Sequence, residues 1–377
     1  MLGLRRTSVT GGNGNSFFLD DNDNVWACGT NNFSDTHDQV VSQFTKLENL
    51  ENICSVDSGY SHTLFLDQDG KVYSCGTCNE YETLGRDSDF TQPSIIPGLP
   101  KITSIAASFN KHSLFLDEES HVWACGDNYK GQLGLGVTSS HQGLTKLELP
   151  PMKSVTAGWM HSVFLDEDGT PWTCGNNSQG ELGLGTMENR CKAEKIANLP
   201  SIKEIFAGCQ HTMFLGEDGS VWGTGFNGNG ELGYSEKPRP YLAIPKKIEG
   251  LPEIKMIALG WNHSLFLDFS GGVWACGDNS SSQLGTKSSA KPGRLPIELK
   301  KKLPELPEMQ MIAAGSDHSL FVDVENSLWV CGSNQHNQLG VDYKTEGKFA
   351  APKVVANAPK VKLNNKYRNV KSARKVI

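Results

Sequence analysis

The stretch Gly158-Trp-Met-His161-Ser-Val-Phe-Leu-Asp166 decides the fold of this chain, because close copies of it recur about every fifty residues. A seventh copy has Asn15 at the histidine position, and the seven positions are separated by 47, 50, 49, 50, 52 and 55 residues. A fixed period of this size favours one array of like units over the two or three separate domains that 377 residues would suggest. The repeated histidines are His62, His112, His161, His211, His263 and His318.

Within one unit, strand signals alternate with turn signals. Residues 151–158 are a short β-branched run, and residues 161–166 follow as a second strand. Asp166-Glu-Asp-Gly169 predicts a tight turn, since Asp-Gly favours hairpins, and leads into a third strand at 170–175. A loop of turn formers follows, and residues 195–200 leave room for a shorter fourth strand. We therefore predict an all-β protein, a seven-bladed β-propeller of four-stranded antiparallel blades.

Two repeated positions are interpreted as building elements. The histidines stand beside Ser or Thr, but six equivalent copies without a distinct nucleophile or acid do not describe a catalytic centre. We interpret them as buried imidazoles that tie loop backbone together. A large aromatic residue recurs in the third strand and is interpreted as a wedge between blades. Its members are Trp26, Tyr73, Trp123, Trp172, Trp222, Trp274 and Trp329.

The cysteines predict neither disulfides nor a metal site. Cys75-Gly-Thr-Cys78 has CxxC spacing but lacks a second pair, so we expect no metal and no cofactor. No apolar run approaches the ~20 residues that span a membrane, and no signal peptide is evident. We expect an intracellular protein, cytoplasmic or nuclear. Six cysteines share one repeat position and are expected to be small buried side chains in a reducing compartment: Cys28, Cys75, Cys125, Cys174, Cys276 and Cys331.

Charge is distributed unevenly along the chain. Nine Lys and Arg and no acid follow Glu346, so in a chain of net charge −7 residues 1–346 carry −16. Such an acidic body is a poor surface for phosphate backbones. We separate a propeller over 1–360 from a basic C-terminal tail over 361–377, which is interpreted as a nucleic-acid arm, a nuclear-import signal or a solvated chain end. The lysine-rich stretch 287–302 is either a contact for an acidic partner or a solvated loop.

Residues 123–134, Trp-Ala-Cys-Gly-Asp-Asn-Tyr-Lys-Gly-Gln-Leu-Gly, closely resemble the regulator of chromosome condensation repeat. Residues 172–183 and 222–233 repeat the pattern, and the resemblance covers roughly 7–360. It implies a seven-bladed propeller whose ring is closed by pairing segments from both chain ends. Because Pro352-Lys-Val-Val355 is similar to Pro93-Ser-Ile-Ile96, the C-terminal segment is expected to complete a blade near Thr7–Gly12.

The resemblance also implies candidate functions. The founding activity of the family is nucleotide exchange on the small GTPase Ran, through a β-wedge inserted in one blade. Units two to seven show no such insertion, and the Arg of the plant ultraviolet-B photoreceptor motif is replaced by Met160 and Asn262. The leading hypothesis is a non-enzymatic protein-binding scaffold or adaptor. The alternatives are an exchange factor for a Ran-like small GTPase and chromatin or nucleic-acid association through the basic tail.

The turn before each repeated histidine is expected to lie on one rim of the propeller. Tyr60, Phe109, Trp159 and Trp261 occupy four of these turns, and Asp317 lies in another. Tyr and Trp dominate the energetics of protein interfaces, so we predict that this rim contacts another protein. The alternative is that these aromatic side chains fold over the rim or plug the central channel.

Overall fold

The structure is a computed structural model that describes residues 7–30, 40–76, 82–86, 91–234, 240–286, 303, 306–341 and 347–362. The described residues form seven antiparallel sheets and contain no helix. Each sheet is built from consecutive strands of the chain, so each sequence repeat supplies one blade. The predicted seven-bladed, all-β propeller is confirmed.

Strands are numbered in chain order, and each blade runs from an inner strand at the axis to an outer strand at the surface. The inner strands are β1 (Val9–Gly11), β5 (Ile53–Ser58), β9 (Ile102–Ala107), β13 (Met152–Ala157), β17 (Ile202–Ala207), β21 (Ile254–Leu259) and β24 (Met309–Ala314). The second strands are β2 (Asn15–Leu19), β6 (His62–Asp67), β10 (His112–Asp117), β14 (His161–Asp166), β18 (His211–Gly216), β22 (His263–Asp268) and β25 (His318–Asp323).

The third strands are β3 (Val25–Thr30), β7 (Val72–Gly76), β11 (Val122–Asn128), β15 (Pro171–Gly175), β19 (Val221–Phe226), β23 (Val273–Gly277) and β26 (Leu328–Ser333). The outer strands are β4 (Val40–Lys46), β8 (Ser94–Ile95), β12 (Ser139–Lys146), β16 (Arg190–Lys195), β20 (Tyr241–Lys247) and β27 (Lys348–Val354). Blade 6 has three strands within the described residues, because its connection to blade 7 lies largely in the undescribed range 287–302.

Apolar side chains fill the spaces between blades. Seven buried clusters are present, each shared by two neighbouring blades; the one between blades 3 and 4 joins Leu114 and Leu116 to Phe164 and Cys174. Each second strand contributes a fully buried Phe, and β2 contributes two; burying such a ring stabilises the fold by about 1.5–3 kcal/mol. Because every interface repeats this packing, stability is distributed around the whole ring.

The two chain ends meet where the ring closes. β27 completes blade 7 as its outer strand, whereas β1 contacts β24 and β25, the two innermost strands of that blade. The described ends of the chain are joined by an antiparallel bridge of Asp20 with Val361, next to a 2.7 Å bond from Lys362 N to Leu19 O. The basic residues after Lys362 lie outside the described residues.

The inner strands surround a central channel with a cavity volume of about 260 Å³. Asp57 and Glu204 are the acidic residues of its lining, and burial raises the pKa of Asp57 to about 6. Among the described residues, no helix has the length and apolar character needed to cross a membrane.

Candidate partner-binding face

One end of the propeller gathers the turns that precede the repeated histidines. In each blade these turns join the first and second strands, and the long loops after the third strands reach the same end because the strands are antiparallel. We call this end the mouth face. Its turns comprise residues 12–14, 59–61, 108–111, 158–160, 208–210, 260–262 and 315–317.

Two aromatic side chains of the mouth face meet across the channel. The rings of Tyr60 in blade 2 and Trp261 in blade 6 lie edge to face, with centroids 5.9 Å apart and planes at 85°. The Trp261 indole also lies close to the thiol of Cys209 in blade 5. Since blades 1 and 7 separate blades 2 and 6, the pair covers the channel opening, and Tyr60 remains 46% exposed.

The other predicted rim residues surround this pair without joining it. Phe109 and Trp159 are half-buried on the turns of blades 3 and 4. Blade 3 has one additional turn residue, because Ala107 pairs with Ser113 whereas Ala157 pairs with Ser162. Asp317 is the third turn residue of blade 7, so Ser316 holds the position that Trp261 holds in blade 6. Burial, reinforced by Asp278, raises the pKa of Asp317.

Backbone hydrogen bonds link six of the seven turns to the turn of the next blade. The second turn residue of one blade donates its N–H to the turn of the next blade, as in Trp159 N to Cys209 O at 3.1 Å and Ser316 N to Gly12 O at 3.0 Å. The side chains at these positions take no part in the links. The mouth face therefore presents variable side chains on a fixed backbone, which limits the entropy lost when a partner binds. The other donors are Asn13, Tyr60, Phe109 and Trp261.

A belt of buried histidines lies directly beneath the mouth face. Each Nε2 lies 2.8–3.1 Å from the hydroxyl of the Ser or Thr at the second position of the second strand of the next blade, as in His161 and Thr212 at 2.9 Å. The sequence predicted imidazoles that tie loop backbone together; the direct partner is instead a hydroxyl. The six contacts are His62–Ser113, His112–Ser162, His161–Thr212, His211–Ser264, His263–Ser319 and His318–Ser16.

The hydroxyls fix the tautomer of the belt. Each donates to a carbonyl in the long loop of the preceding blade at 2.6–2.8 Å, as Ser162 does to Gln132 O. A hydroxyl that has donated its only hydrogen must accept the next bond, so Nε2 carries the imidazole proton. Burial lowers the pKa of these histidines to about 3 or 4, and the belt is neutral near pH 7.

The glycine three residues before each histidine makes room for the imidazole. A Cβ on Gly158 would lie 2.1 Å from His161 Cε1 and 2.7 Å from Gly208 O. In blade 3, where the turn is one residue longer, Ser108 takes this place and its hydroxyl accepts from His112 N at 2.9 Å. Blade 1 lacks the histidine, and Ser58 Oγ donates to Asn15 Oδ1 at 3.1 Å instead.

The repeated aromatic residues lie at the opposite end of the blades. Each packs against one of the seven inter-blade clusters, and Trp172 Nε1 donates to Asp166 Oδ2 at 3.0 Å. In blade 5 the Asp position is Gly216, and Trp222 donates to Ser220 Oγ at 3.0 Å. These side chains hold the turns between second and third strands, and we call that end of the propeller the turn face.

The comparison with protein families decides the identity of this fold. A model of the RCC1-like domain matches residues 141–373, and models of the regulator of chromosome condensation (RCC1) repeat match residues 53–82, 69–116 and 102–132. The chain belongs to the RCC1-like domain family. The resemblance seen in the sequence is thereby confirmed.

Individual relatives resemble this RCC1-like domain over part of their length. The human probable E3 ubiquitin-protein ligase HERC4 is 33% identical over 103 residues, which cover 27% of this chain and 10% of HERC4. Human protein RCC2 is 32% identical over 109 residues, covering 28% and 20% of the two chains. The chain therefore matches only a small part of these relatives.

Solved structures share the whole propeller. Yeast RCC1 (Prp20), in its complex with Kap60, superposes with a TM-score of 0.79 at 24% identity and covers 94% of this chain and 85% of its own. Human WBSCR16 gives a TM-score of 0.75 at 20% identity, covering 85% and 86%. At these identities the similarity shows the fold alone.

Sequence reasoning missed two buried acids in the loops of this RCC1-like domain. Glu181 and Glu231 are each 1% exposed, and burial raises the pKa of both to about 7. Gln132 takes the same place in blade 3 and donates to Asp127, whereas Asn176 donates to Glu181 in blade 4. In blade 3 the acid is Asp127 and the amide is Gln132, whereas in blade 4 the amide is Asn176 and the acid is Glu181. This reversal can be read from the sequence. Among the described residues, no group of three or more His, Cys, Asp or Glu could hold a metal ion.

Proposed function

We propose that this RCC1-like domain is a non-enzymatic scaffold or adaptor that binds another protein on its mouth face. One observation carries the proposal: four aromatic side chains lie on the turns at one end of the ring, on a backbone that neighbouring blades hold in place. Tyr and Trp supply large contact areas at a low cost in side-chain entropy. Their positions on the mouth face suit a partner that covers the channel opening.

The chemistry of the buried groups supports a binding role. The belt histidines are neutral and buried, and their Nε2 atoms are bonded to hydroxyls, so they are poor general acids or bases at pH 7. Burial raises the pKa of the repeated cysteines, as it does for Cys125 to about 12, which leaves the thiols unreactive. The aromatic side chains that remain accessible on the mouth face are of the types enriched at protein interfaces. The nine cysteines of the described residues are all unpaired, which supports a nuclear or cytoplasmic location.

The test is quantitative capture of proteins from cell extract by the tagged full chain. Trp159→Ala with Trp261→Ala should weaken capture of the specific partner by about 2 kcal/mol or more, roughly thirtyfold, because both side chains belong to the proposed contact. Ile95→Ala with Val354→Ala is the matched control, since both side chains are exposed on outer strands and pair with Tyr73 and Trp329 at the end opposite the mouth. Equal capture by the two double variants would remove the mouth face as the partner site.

Nucleotide exchange on a Ran-like GTPase is the second candidate function. It is supported by membership of the family and by the fold shared with yeast Prp20p, which was characterised for its binding to Gsp1p and histones. Release of labelled GDP from purified Ran, measured with and without the chain, separates the two functions. Acceleration would make the mouth partner a GTPase, whereas an unchanged rate leaves the adaptor function.

Nucleic-acid association through the basic tail is the third candidate, and its residues after Lys362 lie outside the described part of the chain. Its support is the run of cations without acids after Glu346. Binding of this kind falls steeply with salt and should be abolished by truncation after Asn365. Persistent binding in the truncated chain would eliminate this candidate.

A further inference from the structure

The turn face is strongly acidic. The seven turns between second and third strands carry ten carboxylates beyond the aspartates that end the strands, against one lysine, Lys71. All ten are exposed except Asp23, which is half-buried. An end of the molecule with this composition attracts cations at a range of about 8–10 Å in physiological salt. The carboxylates are Asp21, Asp23, Asp69, Glu118, Glu119, Glu167, Asp168, Glu217, Asp218 and Glu325.

The C-terminal segment reaches this end of the ring at a defined place. After β27, Lys360 Nζ donates to Ser327 Oγ in the turn of blade 7 at 2.9 Å. Two residues later Lys362 forms an ion pair with Asp23 in the turn of blade 1. Gln68 in the turn of blade 2 also bonds to Asp23, at 3.0 Å. The described chain therefore passes from blade 7 to blade 1 along the turn face and ends beside Asp23, which also contacts blade 2.

The residues that follow have the complementary charge. Positions 363–377 contain Lys366, Arg368, Lys371, Arg374 and Lys375 and no acid. Fifteen extended residues span at most about 50 Å, whereas packed sheets lie about 10 Å apart. The segment is long enough to reach the carboxylates of blades 2 and 3, namely Asp69, Glu118 and Glu119.

We infer that residues 363–377 dock on the turn face of their own propeller, across the turns of blades 2 and 3. The inference extends a contact that is already present, because Lys362 and Asp23 form its first ion pair. Docking there would neutralise part of the acidic turn face and hold the basic segment away from polyanions. It leaves the mouth face open, and it is therefore independent of the proposed partner site.

The experiment is carbodiimide cross-linking of the full-length chain, followed by peptide mass spectrometry. This reagent joins an amine to a carboxylate with no added spacer, so only pairs in direct contact react. Lys101 and Glu118, an ion pair of 3.1 Å, provide the internal positive control. Mixing isotopically light and heavy chains distinguishes links within one chain from links between chains.

We expect Lys366, Lys371 or Lys375 to be linked within one chain to Asp69, Glu118 or Glu119. Raising the salt to about 1 M, where the Debye length is near 3 Å, should reduce these links about tenfold. D69N/E118Q/E119Q should reduce all linking of the tail lysines about tenfold, whereas the charge-matched control E217Q/D218N/E249Q in blade 5 should not. Three results would overturn the inference: tail links to the mouth face, links only between chains, or no tail links while Lys101–Glu118 reacts.

Discussion

The histidine belt and the mouth face lie within three residues of each other in every repeat, yet the belt residue is nearly constant and the mouth residue varies. The belt position is histidine in six of seven blades, and each imidazole makes the same contact with the next blade. The second residue of the mouth turn is Asn13, Tyr60, Phe109, Trp159, Cys209, Trp261 or Ser316, depending on the blade. What repeats in this molecule builds the ring, and what varies forms the surface available to a partner.

The physical reason for this difference lies in which atoms make the contacts between blades. At the belt the side chain makes the contact, so the residue type is fixed by an imidazole that must reach a hydroxyl of the next blade. At the mouth the backbone makes the contact, as when Trp159 N donates to Cys209 O, so any side chain is allowed. A surface position whose side chain makes no structural contact can carry a residue suited to binding.

Acidification should give the largest effect, because it acts on all six histidines of the belt. The folded histidines have a pKa of about 3 or 4, below the usual value near 6.5, so the unfolded chain binds more protons as pH falls below 6.5. The raised pKa values of Asp57, Glu181 and Glu231 oppose this, since those groups bind protons in the folded state first. The unfolded chain therefore binds about three more protons than the folded chain. This difference lowers the free energy of unfolding by about 4 kcal/mol per pH unit as the pH falls from 6 to 4.5.

Urea unfolding at pH 7, 6 and 5 measures this dependence. His161→Gln should remove one proton from the difference and lower the slope by about 1.4 kcal/mol per pH unit. Stability that stays level or rises on acidification through this window would show that the belt is not a set of neutral, buried imidazoles.

Gly158→Ala should be the next largest effect, because it introduces a methyl group where belt and mouth meet. The new Cβ would lie 2.1 Å from the His161 ring and 2.7 Å from a backbone oxygen of blade 5, and neither can move freely. We expect a loss of about 3 kcal/mol or more in the free energy of unfolding, as for an overpacked core. Gly143→Ala is the control, since its Cβ would meet only Glu82 Oε2 at 3.3 Å. Similar losses for both variants would contradict the close fit of imidazole on glycine.

Much of the ring was predictable from sequence, because its determinants are local and repeated. The period predicted seven blades, and Asp-Gly pairs predicted hairpin turns. Gly169, in the predicted turn after Asp166, has a φ of 81°. Blade 5 departs from the repeat, because Gly216 replaces the Asp and Trp222 donates to Ser220 instead.

The contacts between blades could not be predicted, because they depend on how one repeat is placed against another. The sequence set a Ser or Thr beside each histidine, but the imidazole bonds the hydroxyl of the next blade, about fifty residues away. The meeting of Tyr60 with Trp261 depends on the diameter of the ring, which no repeat encodes alone. The Tyr60 and Trp261 side chains cover the channel opening, whereas the Phe109 and Trp159 side chains lie beside this pair.

Measuring stability and partner capture on the same two variants shows whether the belt stabilises the ring and the mouth face binds the partner. His161→Ala should lose about 3 kcal/mol of unfolding free energy, because it leaves a cavity beside Thr212, and should keep partner capture under conditions where it is folded. Trp159→Ala with Trp261→Ala should stay within about 1 kcal/mol of the parent chain and lose capture about thirtyfold. The account would be contradicted if the folded histidine variant lost capture as well, or if the tryptophan variant unfolded as readily as the histidine variant.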